Sequence, residues 1–196
     1  MRWAAPAVAL ALLAPPAAAQ RLPIRDGSVQ AATLSFDGHA SVGDFTGVTT
    51  TVSGQLQGAA SMAQVRGWVE APVATLKTGK DRRDRDLNKS MESDKYPQLR
   101  FELTGVDPGT GSADSLPVSL QGRLTLHGVT HDVTLPAVLS FGDDGARIQT
   151  SFPVNLTDYQ IGGLSKMLGV LKMDEHIVVH VDAHFGFTAA PEPTNH

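Results

Sequence analysis

From Val118 to His127 the chain alternates without a break. Val118, Leu120, Gly122, Leu124 and Leu126 oppose Ser119, Gln121, Arg123, Thr125 and His127. The same two-residue period sets Val133, Leu135, Ala137, Leu139 and Phe141 against Asp132, Thr134 and Ser140. It sets Ile148, Phe152, Val154 and Leu156 against Arg147, Gln149, Ser151 and Asn155. It recurs in Ile177, Val179, Val181, Ala183, Phe185 and Phe187, and in Leu99, Phe101 and Leu103. A period of two sends successive side chains to opposite faces of a strand, whereas a helix repeats every 3.6 residues. Each segment therefore predicts a strand with one dry and one wet face.

Weaker alternation near Val29 to Phe36, Val48 to Leu56 and Val65 to Val73 brings the total to about eight strands. Turns such as Asp107-Pro108-Gly109 and Gly142-Asp143-Asp144-Gly145 join them. With few helices between strands the sheet is expected to be antiparallel, and such a sheet removes its edges by closing. The expected fold is all-β: an antiparallel up-and-down eight-stranded barrel with one or two short helices, at Asp81 to Asp94 and at Asp158 to Gly169. The inner phase is rich in Leu, Val and Phe and includes Gly54, Gly67 and Gly122. A barrel of this size holds either its own side chains or one small ligand. The pattern alone leaves a hollow barrel, a filled barrel and a sandwich open.

The N-terminus reads as an export signal. Arg2 precedes an Ala/Val/Leu run from Trp3 to Ala14, Pro15-Pro16 ends it, and Ala17-Ala18-Ala19 forms a small-residue cleavage site. Residues 1–19 are expected to be removed, 20–187 to form the barrel domain, and 188–196 (from Thr188 through AAPEPTNH) to be a disordered tail. The apolar run is too short for a bilayer span, and no cysteine follows it to take a lipid anchor. The chain has no cysteine at all, which excludes disulfides, thiolate metal sites and cysteine nucleophiles. A net charge of −4 gives no basic footprint for nucleic acid and no general attraction to an anionic membrane. The expectation is an exported protein, periplasmic or secreted, without stable membrane insertion.

Between two strand-like stretches lies TGKDRRDRDLNKSMESDKYPQLRF, Thr78 to Phe101. Thr78-Gly79, Arg83-Asp84, Asp86-Leu87, Lys95-Tyr96-Pro97 and Phe101 resemble, in order and spacing, the signature of the YceI-like family. GRLTLHGVTHDVTL (Gly122 to Leu135) resembles that family's second strong block. Phe36, Gly43, Phe45, Gly47 and Gly54 resemble its opening strand pair, and DYQIGG with EHIVVHVDAHF resembles its close. The departure is the opening, which lacks the longer histidine-bearing segment of many members. The resemblance implies a lipocalin-like hollow barrel that binds a long isoprenoid lipid, a prenyl diphosphate, polyprenol or quinone, outside the cytoplasm. The family makes a homodimer reasonable; no catalysis, cofactor or metal is expected, and a filled barrel would instead suit an envelope stress or partner-binding protein.

On that reading the cavity is lined by Phe36, Val69, Phe101, Leu120, Leu124, Leu135, Leu139, Phe152, Val154, Val179, Val181 and Phe185. Tyr159, Ile161, Leu164, Met167 and Leu168 would form a lid or portal, unless their apolar stripe is ordinary core. Arg82, Arg83 and Arg85 could meet a polar head group through the planar donor fork of guanidinium. Alternatively they sit on a solvated helix and pair with Asp81, Asp84 and Asp86 at (i, i+3) or (i, i+4). The matching motif gives Arg83 and Asp84 a loop-locking role.

Tyr96-Pro97 reads as a fixed re-entry into the sheet, and His127-Gly128 as a hairpin turn. Trp68 falls in the outward phase between Arg66 and Glu70, as a subunit contact or a partly covered surface residue. His180 and His184 sit four residues apart on a strand, roughly 13 Å, too far to share an ion. No Gly-x-Ser-x-Gly elbow or His-Glu-x-x-His pair is present to support an enzyme that modifies lipids.

Overall fold

The computed structural model describes residues 24–41, 43–162 and 173–188. The expected leader, nearly all of the expected tail, and Leu164, Met167 and Leu168 lie outside the described residues.

Nine strands follow in order: β1 (Gly27–Ala40), β2 (Gly43–Thr49), β3 (Ser53–Gln57), β4 (Arg66–Pro72), β5 (Gln98–Pro108), β6 (Leu116–Leu126), β7 (Val129–Phe141), β8 (Gly145–Asn155) and β9 (His176–Phe187). Every pairing is antiparallel and each strand from β3 to β9 pairs with the next. β9 returns to β1 from Gly27↔Phe187 to Asp37↔Val178, which closes the barrel. β2 and β3 share one edge of β1, β2 against Leu34–Ala40 and β3 against Gly27–Ser28. The stretch expected as one strand from Val48 to Leu56 is thus one stave broken at Thr50–Val52, and nine strands make eight staves.

Where the second helix is expected to begin, the described residues form a short 3₁₀ turn, Leu156–Tyr159, ended by Gln160 in the left-handed region at φ 55°; the rest of that expected helix, from 163 on, lies outside the described residues. The charged excursion folds as α1 (Asp81–Ser90). Asp81 and Asp84 lie in its first turn and Lys89 in its last, the charge order that the helix dipole favours.

Up-and-down topology sorts the connections between two ends. The β1–β2, β4–β5, β6–β7 and β8–β9 connections share one end, so α1, the His127-Gly128 turn and the 3₁₀ turn after β8 meet there. The β6–β7 turn has two residues, both at positive φ: His127 at 51° and Gly128 at 76°. This is the type I′ geometry whose twist matches that of the strands it joins.

Candidate functional site

The barrel interior is hollow towards the α1 end and filled towards the other. A cavity of about 620 Å³ occupies the hollow half. On β5, Leu99, Phe101 and Leu103 line it, and Val106 does not. On β6, Leu120, Leu124 and Leu126 line it, and Val118 does not. On β7 the boundary falls between Leu135, which lines it, and Ala137. Val106, Val118, Ala137 and Leu139 are buried below that level with Val65. The floor of the cavity is therefore a ring of Leu103, Leu120, Leu135, Ile148 and Phe185 resting on a packed plug.

Eleven of the twelve residues expected to line the space do so: Phe36, Val69, Phe101, Leu120, Leu124, Leu135, Phe152, Val154, Val179, Val181 and Phe185. Leu139 does not. It faces inward, opposite Leu116 and Ile148, but belongs to the plug. Two glycines make room for rings on the wall. A Cβ on Gly122 would sit 2.5 Å from Cζ of Phe101, and one on Gly47 would strike the ring of Phe36. Phe36 in turn meets Phe45 edge-on, with ring centroids 6.1 Å apart.

α1 covers the mouth. Arg82, Arg83, Asp86, Leu87 and Ser90 share the face that borders the cavity, with Leu76, Lys80 and Met91 beside them. The helix is charged overall, yet Leu87 and Met91, four residues apart, give it an apolar inner stripe. Arg85, two residues from Arg83, lies on the other side of the helix, exposed and away from the cavity.

No side chain caps the N-terminus of α1 at Lys80. Instead Asp84, which is buried, accepts from Thr78 twice: from its backbone N–H at 2.8 Å and its hydroxyl at 2.6 Å. The Thr78 hydroxyl accepts in turn from Nε of Arg83 at 3.1 Å. The Arg83 guanidinium also lies 4.4 Å from the centre of the Phe45 ring. The expected lock is real but indirect, because Arg83 and Asp84 act through Thr78 rather than on each other. The Thr78 bonds hold the Asp84 carboxyl below its ordinary range, the hydroxyl foremost, against the opposing effect of burial. Among the described residues, Lys80, Arg82 and Arg85 form no ion pair, so the expected pairing with neighbouring aspartates is not formed.

His127 ties the mouth together. Its Nδ1 lies 3.2 Å from the carbonyl of Tyr159, its ring packs edge-on against Tyr96 at 4.6 Å, and its Nε2 is 3.3 Å from a carboxylate oxygen of Glu92. Glu92 follows the end of α1 at φ 44°. The β6–β7 turn, the chain leaving α1 and the turn after β8 are thus pinned at one side chain. Of the expected lid, Ile161 lines the cavity and is almost fully buried. Tyr159 does not line it; its ring packs edge-on against His131 at 5.0 Å, and burial raises its hydroxyl above the ordinary value.

The outer wall is polar. Arg100 donates to Glu70 at 2.7 Å and to Glu102 at 3.1 Å, Arg123 also meets Glu102, and the Arg100 guanidinium lies 4.8 Å from the Trp68 ring. Trp68 is therefore partly covered within its own chain. His180 bonds Asp37 at 3.0 Å and Asp182 takes a bidentate contact from Arg147. Among the described residues no group of three or more His, Asp or Glu could hold a metal, and no helix is long and apolar enough to cross a membrane.

A closed antiparallel barrel with one apolar chamber, capped by a helix set between its fourth and fifth strands, defines a lipocalin-like binding barrel. The YceI-like domain matches this chain over residues 28–185, and the chain belongs to that family. Solved structures share the fold. BcnA of Burkholderia cenocepacia is 18% identical over 80% of this chain and 96% of its own, with a TM-score of 0.66. A polyisoprenoid binding domain from Saccharophagus degradans, implicated in plant cell wall breakdown, is 15% identical over 84% of this chain and 99% of its own, at 0.70. The YCEI protein of Campylobacter jejuni is 16% identical over 70% of this chain and 82% of its own, at 0.56. No curated protein matches the chain.

Proposed function

We propose that this protein is an exported, periplasmic carrier or reservoir that holds a long-chain isoprenoid lipid in its barrel without transforming it. The observation behind this reading is the cavity itself: about 620 Å³, walled mainly by Leu, Val, Ile and Phe, with charged side chains from α1 and from Glu70 and Arg100 at its border. The kinship with a polyisoprenoid binding domain supports the choice of ligand class.

Burying a methylene is worth about 0.8 kcal/mol against water. The lipid's real alternative, however, is a bilayer that is equally apolar. A carrier must match that environment by close contact along the tail and gain selectivity at the head. The wall supplies the first. Arg82 and Arg83, with Lys80, supply the second by facing the head of the lipid: the phosphates of a prenyl diphosphate, the hydroxyl of a polyprenol or a carbonyl of a quinone. Among the described residues no histidine, cysteine or tyrosine lines the cavity; the ionisable residues that do are Glu70, Lys80, Arg82, Arg83, Asp86 and Arg100.

The test is native mass spectrometry of the protein purified from its own cell envelope, followed by solvent extraction. A stoichiometric isoprenoid adduct supports the reading. An apo mass that also fails to take up added polyprenyl lipid contradicts it.

A further inference from the structure

We infer that the cavity accommodates a tail of about four isoprene units, and that carbons beyond these are left outside the dry chamber. This rests on the lipid-binding reading and adds a length limit to it.

The limit comes from volume and from the floor. A methylene fills about the same share of a liquid as a water molecule, roughly 30 Å³, and protein interiors leave little unfilled space. A chamber of about 620 Å³ therefore takes about 20 carbon atoms at that share. The chamber cannot lengthen downwards, because Val106, Val118, Ala137 and Leu139 fill the barrel beneath Leu120 and Phe185. Nor does it widen easily, since the wall is a continuous hydrogen-bonded sheet closed by β1 and β9. Among the described residues the way out is the mouth, where Lys80, Arg82, Arg83 and Asp86 add charge to the apolar lining. A longer tail must put its surplus carbons there, in contact with water and charged groups.

Partition between delipidated protein and phosphatidylcholine vesicles reads this directly. A bilayer takes every carbon of any prenol, so the ratio stays level while the protein also covers every carbon. It falls by up to about fourfold for each carbon left in water. With all-trans prenols of two, three, four, six and eight isoprene units, the ratio is expected to be level to four units. It should then drop at least about tenfold by six.

Two substitutions move the break in opposite directions. Ala183→Leu fills part of the chamber next to the floor ring and is expected to shift the break by about one unit to shorter tails. Leu120→Ala lowers the floor and should shift it by up to one unit to longer ones. Thermal unfolding of both variants establishes that they are folded. Equal partition of four-unit and eight-unit prenols overturns the length limit and leaves lipid binding standing. Failure to take up a prenol of any length overturns the lipid-binding reading, and the limit falls with it.

Discussion

Asp84 closes a ring on Thr78. One carboxylate oxygen accepts both the backbone N–H and the hydroxyl of the residue six positions earlier, and this fixes where α1 begins. Asp84→Ala leaves both Thr78 donors without their partner and is expected to destabilise the fold by about 1–3 kcal/mol. Thr78→Ser, which keeps both donors, should cost much less than Thr78→Val. Urea unfolding of the three variants checks the order, and equal losses for Ser and Val would place the effect in packing instead.

The same ring predicts an acid response. Asp84 is held below its ordinary value of 3.8, and Glu102 below 4.5 by Arg100 and then Arg123. A carboxylate with a depressed folded-state pKa stabilises the fold fully above its unfolded value, and that contribution is lost as pH falls through the folded one. Stability should therefore be level from neutral pH to just above 4.5 and decline below it. Hydrogen exchange localised to α1 should accelerate below 3.8, and Asp84→Asn should remove that local dependence while leaving the decline due to Glu102.

Gly122 exists to seat Phe101. Gly122→Ala drives a methyl into the ring and is expected to cost about 1–3 kcal/mol. Phe101→Leu in the same chain should recover part of that loss. The recovery is partial because the carbonyl of Glu102 also lies within contact of the new atom. A double-mutant cycle measures it, and strict additivity would contradict the assigned contact.

Arg83 is expected to read the head group. Arg83→Met removes the guanidinium from the mouth and should weaken uptake of a prenyl phosphate about tenfold while leaving the matching prenol nearly unchanged. Arg85→Met, on the far side of α1, should change neither. Equal weakening of phosphate and alcohol by Arg83→Met would assign this residue to holding the lid rather than to the ligand.

Most of the wall was legible because alternation reports which face a residue occupies. It does not report depth along the barrel. Leu139 shares the phase of Leu135 yet lies in the plug, and no local signal separates them. The stave broken at Thr50–Val52 reads in the sequence as one strand because β2 and β3 keep similar alternation across the gap. The sequence shows α1 as helical and leaves two placements for it, a barrel rim or a solvated excursion; Leu87 and Met91 are the sign that favours the rim. The roles of Thr78 and His127 are set by partners reached only through folding. Tyr159 looked like a lid residue from its apolar neighbours, but its ring is taken up by His131.

The central claim is that the chamber, and not the outer surface, holds the lipid. The most direct measurement is the uptake of four-unit prenol by delipidated wild-type protein and by Val181→Trp, which fills the chamber from its wall without altering the outside. The account predicts one lipid per wild-type chain and at least about a tenfold loss of affinity in the variant, with the barrel still folded. Undiminished binding by a folded Val181→Trp protein would contradict it.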